Sequence, residues 1–180
     1  MAINPIPDYC EHFLYPLVGD SMLELGNKKT GDVSYKSHFE KLGIRHVSVD
    51  INGLDGALRL DLRKPLKLGQ FDMVTNFGCS EHVVDNQEAV WRNIHEAVKI
   101  NGVLICMCPM PGDWWWHGIH YPHMAFYEQF AAKNGYLIEH MEVGRMAPTR
   151  NIDVRMKKYC EIAFTMPDNH TMFYNEMRPR

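Results

Sequence analysis

The sequence predicts an α/β protein with a parallel sheet covered by helices on both faces. Short apolar runs recur along the chain, and segments with helical spacing alternate with the first five of them. Three of the runs end on an acidic residue, which points to a ligand beyond the strand ends. The chain has 180 residues, 46% of them hydrophobic and 23% charged, an ordinary balance for one globular domain. A single domain is expected over residues 1–180. It comprises an N-terminal helix at about 8–18, a core over about 21–166 and a polar, frayed tail over 167–180.

The opening helix rests on Tyr9, Phe13 and Leu17, which share one face. Ser21 to Leu25 is the first strand, closed by Gly26. After the loop Gly26-Asn-Lys-Lys-Thr-Gly31, Asp32 is placed to cap a helix carrying Tyr35, Phe39 and Leu42. Gly43 stops it, and His46 to Asp50 is the second strand. Ala57 to Leu60 is a weaker third strand ending at Asp61, and Phe71 to Thr75 is the fourth. Asn86 opens a helix with Ala89, Val90, Ile94, Ala97 and Val98 on one side, ended by Asn101-Gly102. Val103 to Cys108 is the buried fifth strand. A loop follows over Pro109 to Pro122, then a helix from about His123 ended by Gly135. Tyr136 to Val143 and Lys158 to Met166 are the sixth and seventh strands. No helical pattern separates these two, so they are expected to pair antiparallel at one edge.

Several classes are excluded early. Nineteen Lys and Arg against 22 Asp and Glu leave a net charge of −3, without the basic footprint of a non-specific nucleic-acid binder. The longest apolar run, Val103 to Cys108, is far short of the ~20 residues of a membrane span. The start Met-Ala-Ile-Asn-Pro-Ile-Pro-Asp has no basic segment followed by an apolar one. The five cysteines have no paired C-x-x-C spacing and read as free thiols. A cytoplasmic protein is expected.

Strand tips are informative because open parallel sheets bind ligands beyond their carboxyl ends. The first tip is Leu23-Glu24-Leu25-Gly26, the second Val49-Asp50, the third Leu60-Asp61-Leu62 and the fourth Thr75-Asn76-Phe77-Gly78. An acid at the second tip can accept from both hydroxyls of a ribose. Asp61 is placed to accept from an adenine amino group, and Gly26 allows close backbone approach. A dinucleotide would need G-x-G-x-x-G for its pyrophosphate, and the loop here lacks the middle glycine. Glu24 would repel phosphate but attract the ammonium of S-adenosylmethionine, so the charge logic favours that cofactor.

Leu23-Glu-Leu-Gly26, Val49-Asp50, Leu60-Asp61-Leu62, Phe71-Asp-Met-Val74 and Cys79-Ser-Glu-His-Val83 resemble successive motifs of one family. It is the Rossmann-like (class I) S-adenosylmethionine-dependent methyltransferases. Asn101-Gly-Val-Leu-Ile105 is similar to that family's fifth strand, and the likeness runs from about Ser21 to Met166. The resemblance implies a doubly wound, mostly parallel seven-stranded sheet with the last strand antiparallel and helices on both faces. It implies S-adenosylmethionine as cofactor and S-adenosylhomocysteine as product. The cofactor residues it carries over are Glu24, Gly26, Asp50, Asp61, Leu62, Asn76 and Phe77. Glu81 and His82 match a recurrent Glu-His pair where the chain passes the cofactor's methionine end. The loop holds less glycine than the family's usually does, which also admits a non-catalytic module that binds the cofactor or a partner on the same fold.

The loop after the fifth strand concentrates Trp114, Trp115, Trp116, His117, His120, Tyr121 and His123. A loop of this length is usually functional, and its tryptophans suit the wall of an apolar pocket. His117-Gly-Ile-His-Tyr-Pro122 is similar to a segment of small-molecule and sugar-tailoring methyltransferases. Methyl transfer needs alignment and exclusion of water, and a hydroxyl acceptor must also lose a proton. Histidine suits that task, which makes His117, His120 and His82 the candidate bases. The expectation is methylation of a small-molecule acceptor, at oxygen rather than nitrogen. No metal site is expected, because nothing near His117, His120 and His123 completes a familiar ligand set. Arg145, Arg150 and Arg155 either read an anionic substrate or face solvent.

Overall fold

The computed structural model describes residues 14–30, 33–114, 117–146 and 149–174. The chain runs through β1 (Ser21–Leu25), β2 (Lys29–Thr30), β3 (Val33–Ser34), α1 (Tyr35–Lys41), β4 (Arg45–Asp50), β5 (Leu58–Arg59) and β6 (Phe71–Phe77). It continues through α2 (Gln87–Ala97), β7 (Val98–Pro109), β8 (His120–Pro122), α3 (Met124–Asn134), β9 (Tyr136–Met146), β10 (Thr149–Lys158) and β11 (Met172–Tyr174). Seven strands form one sheet in the order β5-β4-β1-β6-β7-β10-β9. All neighbours from β5 to β7 pair in parallel, and β10 runs antiparallel to both β7 and β9. This is the predicted architecture, with the sheet's last strand in sequence reversed.

All five residues of β1 are buried, as expected of a central strand covered on both faces. On one face lie α2 and α3. Asn86 caps α2 by accepting from Ala89 N at 3.2 Å, and the helix turns Val90, Trp91 and Ile94 inward. Trp91 packs against Phe126 of α3 at 4.6 Å between ring centroids, with no exposed surface. Its truncation to Ala would cost about 3–5 kcal/mol. On the other face, Tyr35 and Phe39 of α1 join Met22, Met73 and Ile105. α3 ends at Gly135, whose φ of 73° accommodates the left-handed C-cap.

Five expectations are corrected. Leu14 is helical but residues 15–18 are not, since Pro16 lacks an N–H; residues 8–13 lie outside the described residues. The cap of α1 is Ser34, whose Oγ accepts from Ser37 N at 3.1 Å, with the β2–β3 pair before it; Asp32 lies outside the described residues. Asn101-Gly102 does not end α2. The helix stops at Ala97, and Asn101, at φ 67°, sits within β7 where its register against β6 shifts. The seventh strand is Thr149–Lys158, not Lys158 to Met166. Its charged residues are matched across the fold: Arg155 donates to the carbonyls of Leu14 and Pro16, and Lys158 to those of His95 and Val98. The tail is ordered as far as β11, which pairs with β8. Among the described residues no helix is long and apolar enough to cross a membrane.

Candidate active site

The strand order reverses around β1, with β4 on one side and β6 on the other. A cleft of about 430 Å³ opens there beyond the carboxyl ends, a size suited to a small ligand. Gly26, Lys28, Asp50, Leu62, Phe77 and Cys79 contribute to its walls. Gly26 takes φ 82° and donates its N–H to Val49 O at 2.8 Å. A Cβ at Gly26 would only touch Cys79, at 3.5 Å, so the backbone conformation rather than crowding calls for glycine.

The acids at the strand tips separate into different roles. Asp50 lines the cleft, and its Oδ1 accepts from Asn52 N at 2.9 Å. Asp61 lines it too, but Arg63 grips both its oxygens, through Nε at 2.9 Å and Nη2 at 2.8 Å. Those hydrogen bonds hold the Asp61 carboxyl down at about 2. Oδ1 also accepts from Arg63 N at 3.0 Å, so both oxygens are engaged by the one arginine. Glu24 does not line the cleft. Its Oε1 accepts from Lys28 N at 2.9 Å and its Oε2 lies 3.2 Å from His46 Nε2, so it braces the glycine loop from below. Asn76 is likewise turned inward, donating to Ser80 Oγ at 2.7 Å and accepting from Ser80 N at 3.0 Å. The sequence placed both at strand tips correctly, but a strand's alternation decides which way each points.

Beyond β6 a short turn, Ser80–His82, brings Glu81 and His82 against the aromatic loop. Ile119 N donates to Glu81 O at 2.7 Å, and Gly118 N donates to Tyr121 Oη at 2.6 Å. A Cβ at Gly118 would lie 2.7 Å from Glu81 Cγ, so only glycine allows this approach. His117 stacks on Trp114, with ring centroids 3.5 Å apart, and its ring meets that of His82 at 4.7 Å. Burial, with the neighbouring charges of His82 and Lys28, lowers His117 to about 4. Burial and Lys28 also lower His82. Burial raises Glu81 to about 7 against smaller opposing effects from its own backbone N–H and from Lys28. Both histidines are therefore neutral near pH 7, with the ring lone pair free there, but the lowering makes each a weaker base than an exposed imidazole.

His120 leaves this group. Its ring nitrogen meets Val84 O at 2.7 Å, and it borders a separate depression beside Met172, so it is not placed to act as a base in the cleft. His123 precedes α3, its N–H donating to Thr171 O. Trp115 and Trp116 lie outside the described residues. Arg150 pairs with Asp113, and Arg155 is buried against Glu139, so neither faces the cleft as a free cation. Lys28 and Cys79 are among the wall residues to which the sequence reading gave no site role. Lys28 stands where a second glycine was sought, and Cys79 is a neutral thiol whose pKa burial drives upward.

The donor set fits S-adenosylmethionine. Asp50 offers a carboxylate to a ribose diol, Leu62 and Phe77 offer apolar walls to adenine, and Lys28 offers a cation to an amino-acid carboxylate. The cleft retains its volume with Lys28 in its wall, so the altered glycine loop does not close it.

A doubly wound sheet with a nucleoside-sized cleft at its switch point defines a Rossmann-like cofactor-binding domain. A family model described as a methyltransferase domain matches residues 18–106, from before β1 into β7. The chain belongs to the class I S-adenosylmethionine-dependent methyltransferases, and S-adenosylmethionine is its cofactor. Among curated proteins none matches the sequence. Solved structures share the fold. An S-adenosylmethionine-dependent methyltransferase from Methanosarcina mazei is 11% identical over 88% of this chain and 100% of its own, with TM-score 0.61. The 1,6-didemethyltoxoflavin-N1-methyltransferase of Burkholderia thailandensis, with bound 1,6-didemethyltoxoflavin and S-adenosylhomocysteine, is 14% identical over 78% of this chain and 71% of its own, TM-score 0.56. An O-methyltransferase from a trans-AT PKS multienzyme of Brevibacillus brevis, in complex with S-adenosyl-L-homocysteine, is 11% identical over 78% of this chain and 67% of its own, TM-score 0.58.

Proposed function

We propose that this enzyme methylates a small-molecule acceptor, at oxygen in preference to nitrogen, in the cytoplasm. The observation that carries the reading is the pair of neutral histidines: His82 lines the cleft, and His117, stacked on Trp114, meets the His82 ring. An amine reaches neutral pH with a lone pair once its proton is lost to water, whereas an alcohol or phenol gains more from a positioned base. His117 is the group that takes this proton, and His82 fills the space beside it. The cofactor supplies an activated methyl group on a sulfonium. Asp50 holds the ribose, Leu62 and Phe77 exclude water around the base, and Lys28 anchors the amino-acid carboxylate. The relatives' names support a small-molecule acceptor, and they include both nitrogen and oxygen methylation. The free thiols of Cys79, Cys106, Cys108 and Cys160 suit a reducing compartment.

Calorimetric titration with S-adenosylhomocysteine, with NADH as control, tests the cofactor site; binding of the first alone is expected. Matched pairs of phenols and anilines then test the acceptor. Turnover of phenols, slowed in His117→Ala most for the least acidic phenols, supports the reading. Turnover confined to the anilines refutes the oxygen preference.

A further inference from the structure

Glu81 is fully buried, and among the described residues neither carboxylate oxygen has a hydrogen-bond partner. A buried carboxylate is normally paired or coordinates a metal, because the bare charge is costly to remove from water. Around Glu81 Oε1 stand His82 Nε2 at 3.8 Å and His117 Nε2 at 3.9 Å. One ligand atom from each of the three residues falls within 4.8 Å of the others. We propose that Glu81, His82 and His117 form a binding site for a divalent transition metal, zinc or iron(II), at the rim of the cleft.

The donor chemistry and the spacing agree. Two imidazoles and one carboxylate are a set that zinc and iron(II) sites use, and three protein ligands leave a coordination position open. Ligand atoms around a tetrahedral ion at about 2.0–2.1 Å lie about 3.4 Å apart. Each imidazole nitrogen stands about half an ångström beyond that spacing from Glu81 Oε1, and all three ligand atoms fall within 4.8 Å of one another. The surroundings hold the ligands in place. Trp114 fixes the plane of the His117 ring. Gly118 lets the loop press against Glu81, where any larger side chain would push His117 away. The carboxylate comes from one loop and the second imidazole from the next loop at the same sheet edge, so local spacing along the chain does not reveal the set.

Lys28 is the competing partner. Its Nζ lies near Gly78, on the side where Glu81 Oε1 also approaches, and a lysine ammonium could neutralise the carboxylate instead. The cleft gives Lys28 another role, at the cofactor's carboxylate, which leaves Glu81 to the ion. The consequence for catalysis rests on the oxygen-acceptor reading, although metal binding itself does not. A hydroxyl oxygen of the acceptor would bond to the ion at the open position, its O–H bond would break, and the proton would pass to water. With the ion present, His117 serves as its ligand and the ion takes over the activation of the hydroxyl that the imidazole provides in the ion-free protein.

The test uses the full chain, stripped with a chelator and then freed of it. Zinc alone is titrated calorimetrically, and cobalt(II) is followed by its visible absorption. One ion per chain at micromolar concentration or below is expected, with a tetrahedral cobalt spectrum. Glu81→Gln and His117→Ala should each weaken zinc at least about tenfold, with His170→Ala, an exposed histidine elsewhere, leaving it unchanged. Thermal melts establish that each variant is folded. Absence of zinc binding to the wild type, or equal binding by both ligand variants, overturns the proposal and leaves Lys28 as the partner of Glu81. S-adenosylhomocysteine is titrated into the same stripped protein. Binding of that compound without zinc refutes the metal site alone, and zinc binding without it refutes the cofactor site alone.

Discussion

Two carboxylates bracket strand β6, and their environments are opposite. Asp72, near its start, accepts from the main-chain N–H groups of Asp20 and Ser21, from Ser21 Oγ and from Lys99 Nζ. Glu81, just past its end, accepts from none of the described residues, although it is the more deeply buried. Burial pushes Asp72 up, yet its hydrogen bonds and the Lys99 charge outweigh that and hold it at about 2. Burial is unopposed enough at Glu81 to raise it to about 7. The amino end of the sheet is thus tied down by a satisfied network. The carboxyl end carries a polar group that the fold leaves unmatched, as ligand sites do.

The largest expected effect falls at the carboxyl end. Asp50→Ala should weaken S-adenosylhomocysteine about hundredfold, from the loss of charged hydrogen bonds to the ribose, with little change in melting temperature. Calorimetry on a folded variant checks this, and unchanged affinity would remove Asp50 from the cofactor site. At the amino end Asp72→Asn should do the reverse. It should cost about 2 kcal/mol of stability, read from the denaturant midpoint, and leave cofactor affinity close to wild type. A comparable loss of affinity would break the division between the two ends.

Glu81→Gln sharpens the comparison further. Removing a buried, unpartnered charge should leave stability unchanged or raise it by up to about 1 kcal/mol, while turnover falls. A loss of stability as large as that in Asp72→Asn would show that Glu81 is structurally paired. The smallest effect is a pH dependence. The folded pKa of Asp72, about 2, is depressed below its unfolded value of about 3.9. Its contribution is therefore full above the unfolded value and is lost as pH falls through the folded one. The stability gap between wild type and Asp72→Asn should narrow between about pH 4 and pH 2, and a gap constant to pH 2 would contradict the assigned network.

The legible parts of this fold were those whose signal is local. β1, β6 and the second half of β7 are apolar runs because parallel strands are buried on both faces. Asn86 and Gly135 mark helix ends by their own conformational preferences. β10 was misplaced because Arg150 and Arg155 read as substrate-binding or solvent-facing residues, whereas the fold buries Arg155 within the strand. The partners that bury Arg155 lie at Leu14, Pro16 and Glu139, and those of Lys158 include His95 and Val98. No local pattern records such distant pairings.

The sequence by itself determined the doubly wound sheet, the cofactor class and the strand tips where Asp50 and Asp61 meet the cleft. Hydrophobic periodicity and the order of short motifs are properties of the chain, and they survive without knowledge of packing. Tertiary structure alone decided side-chain direction and company. It turned Glu24 and Asn76 inward and sent His120 to Val84. It also carried His117 across to Glu81 and His82, through a loop that only Gly118 lets approach so closely. Contacts between loops at one sheet edge depend on how separate crossovers pack, and that is a property of the folded chain.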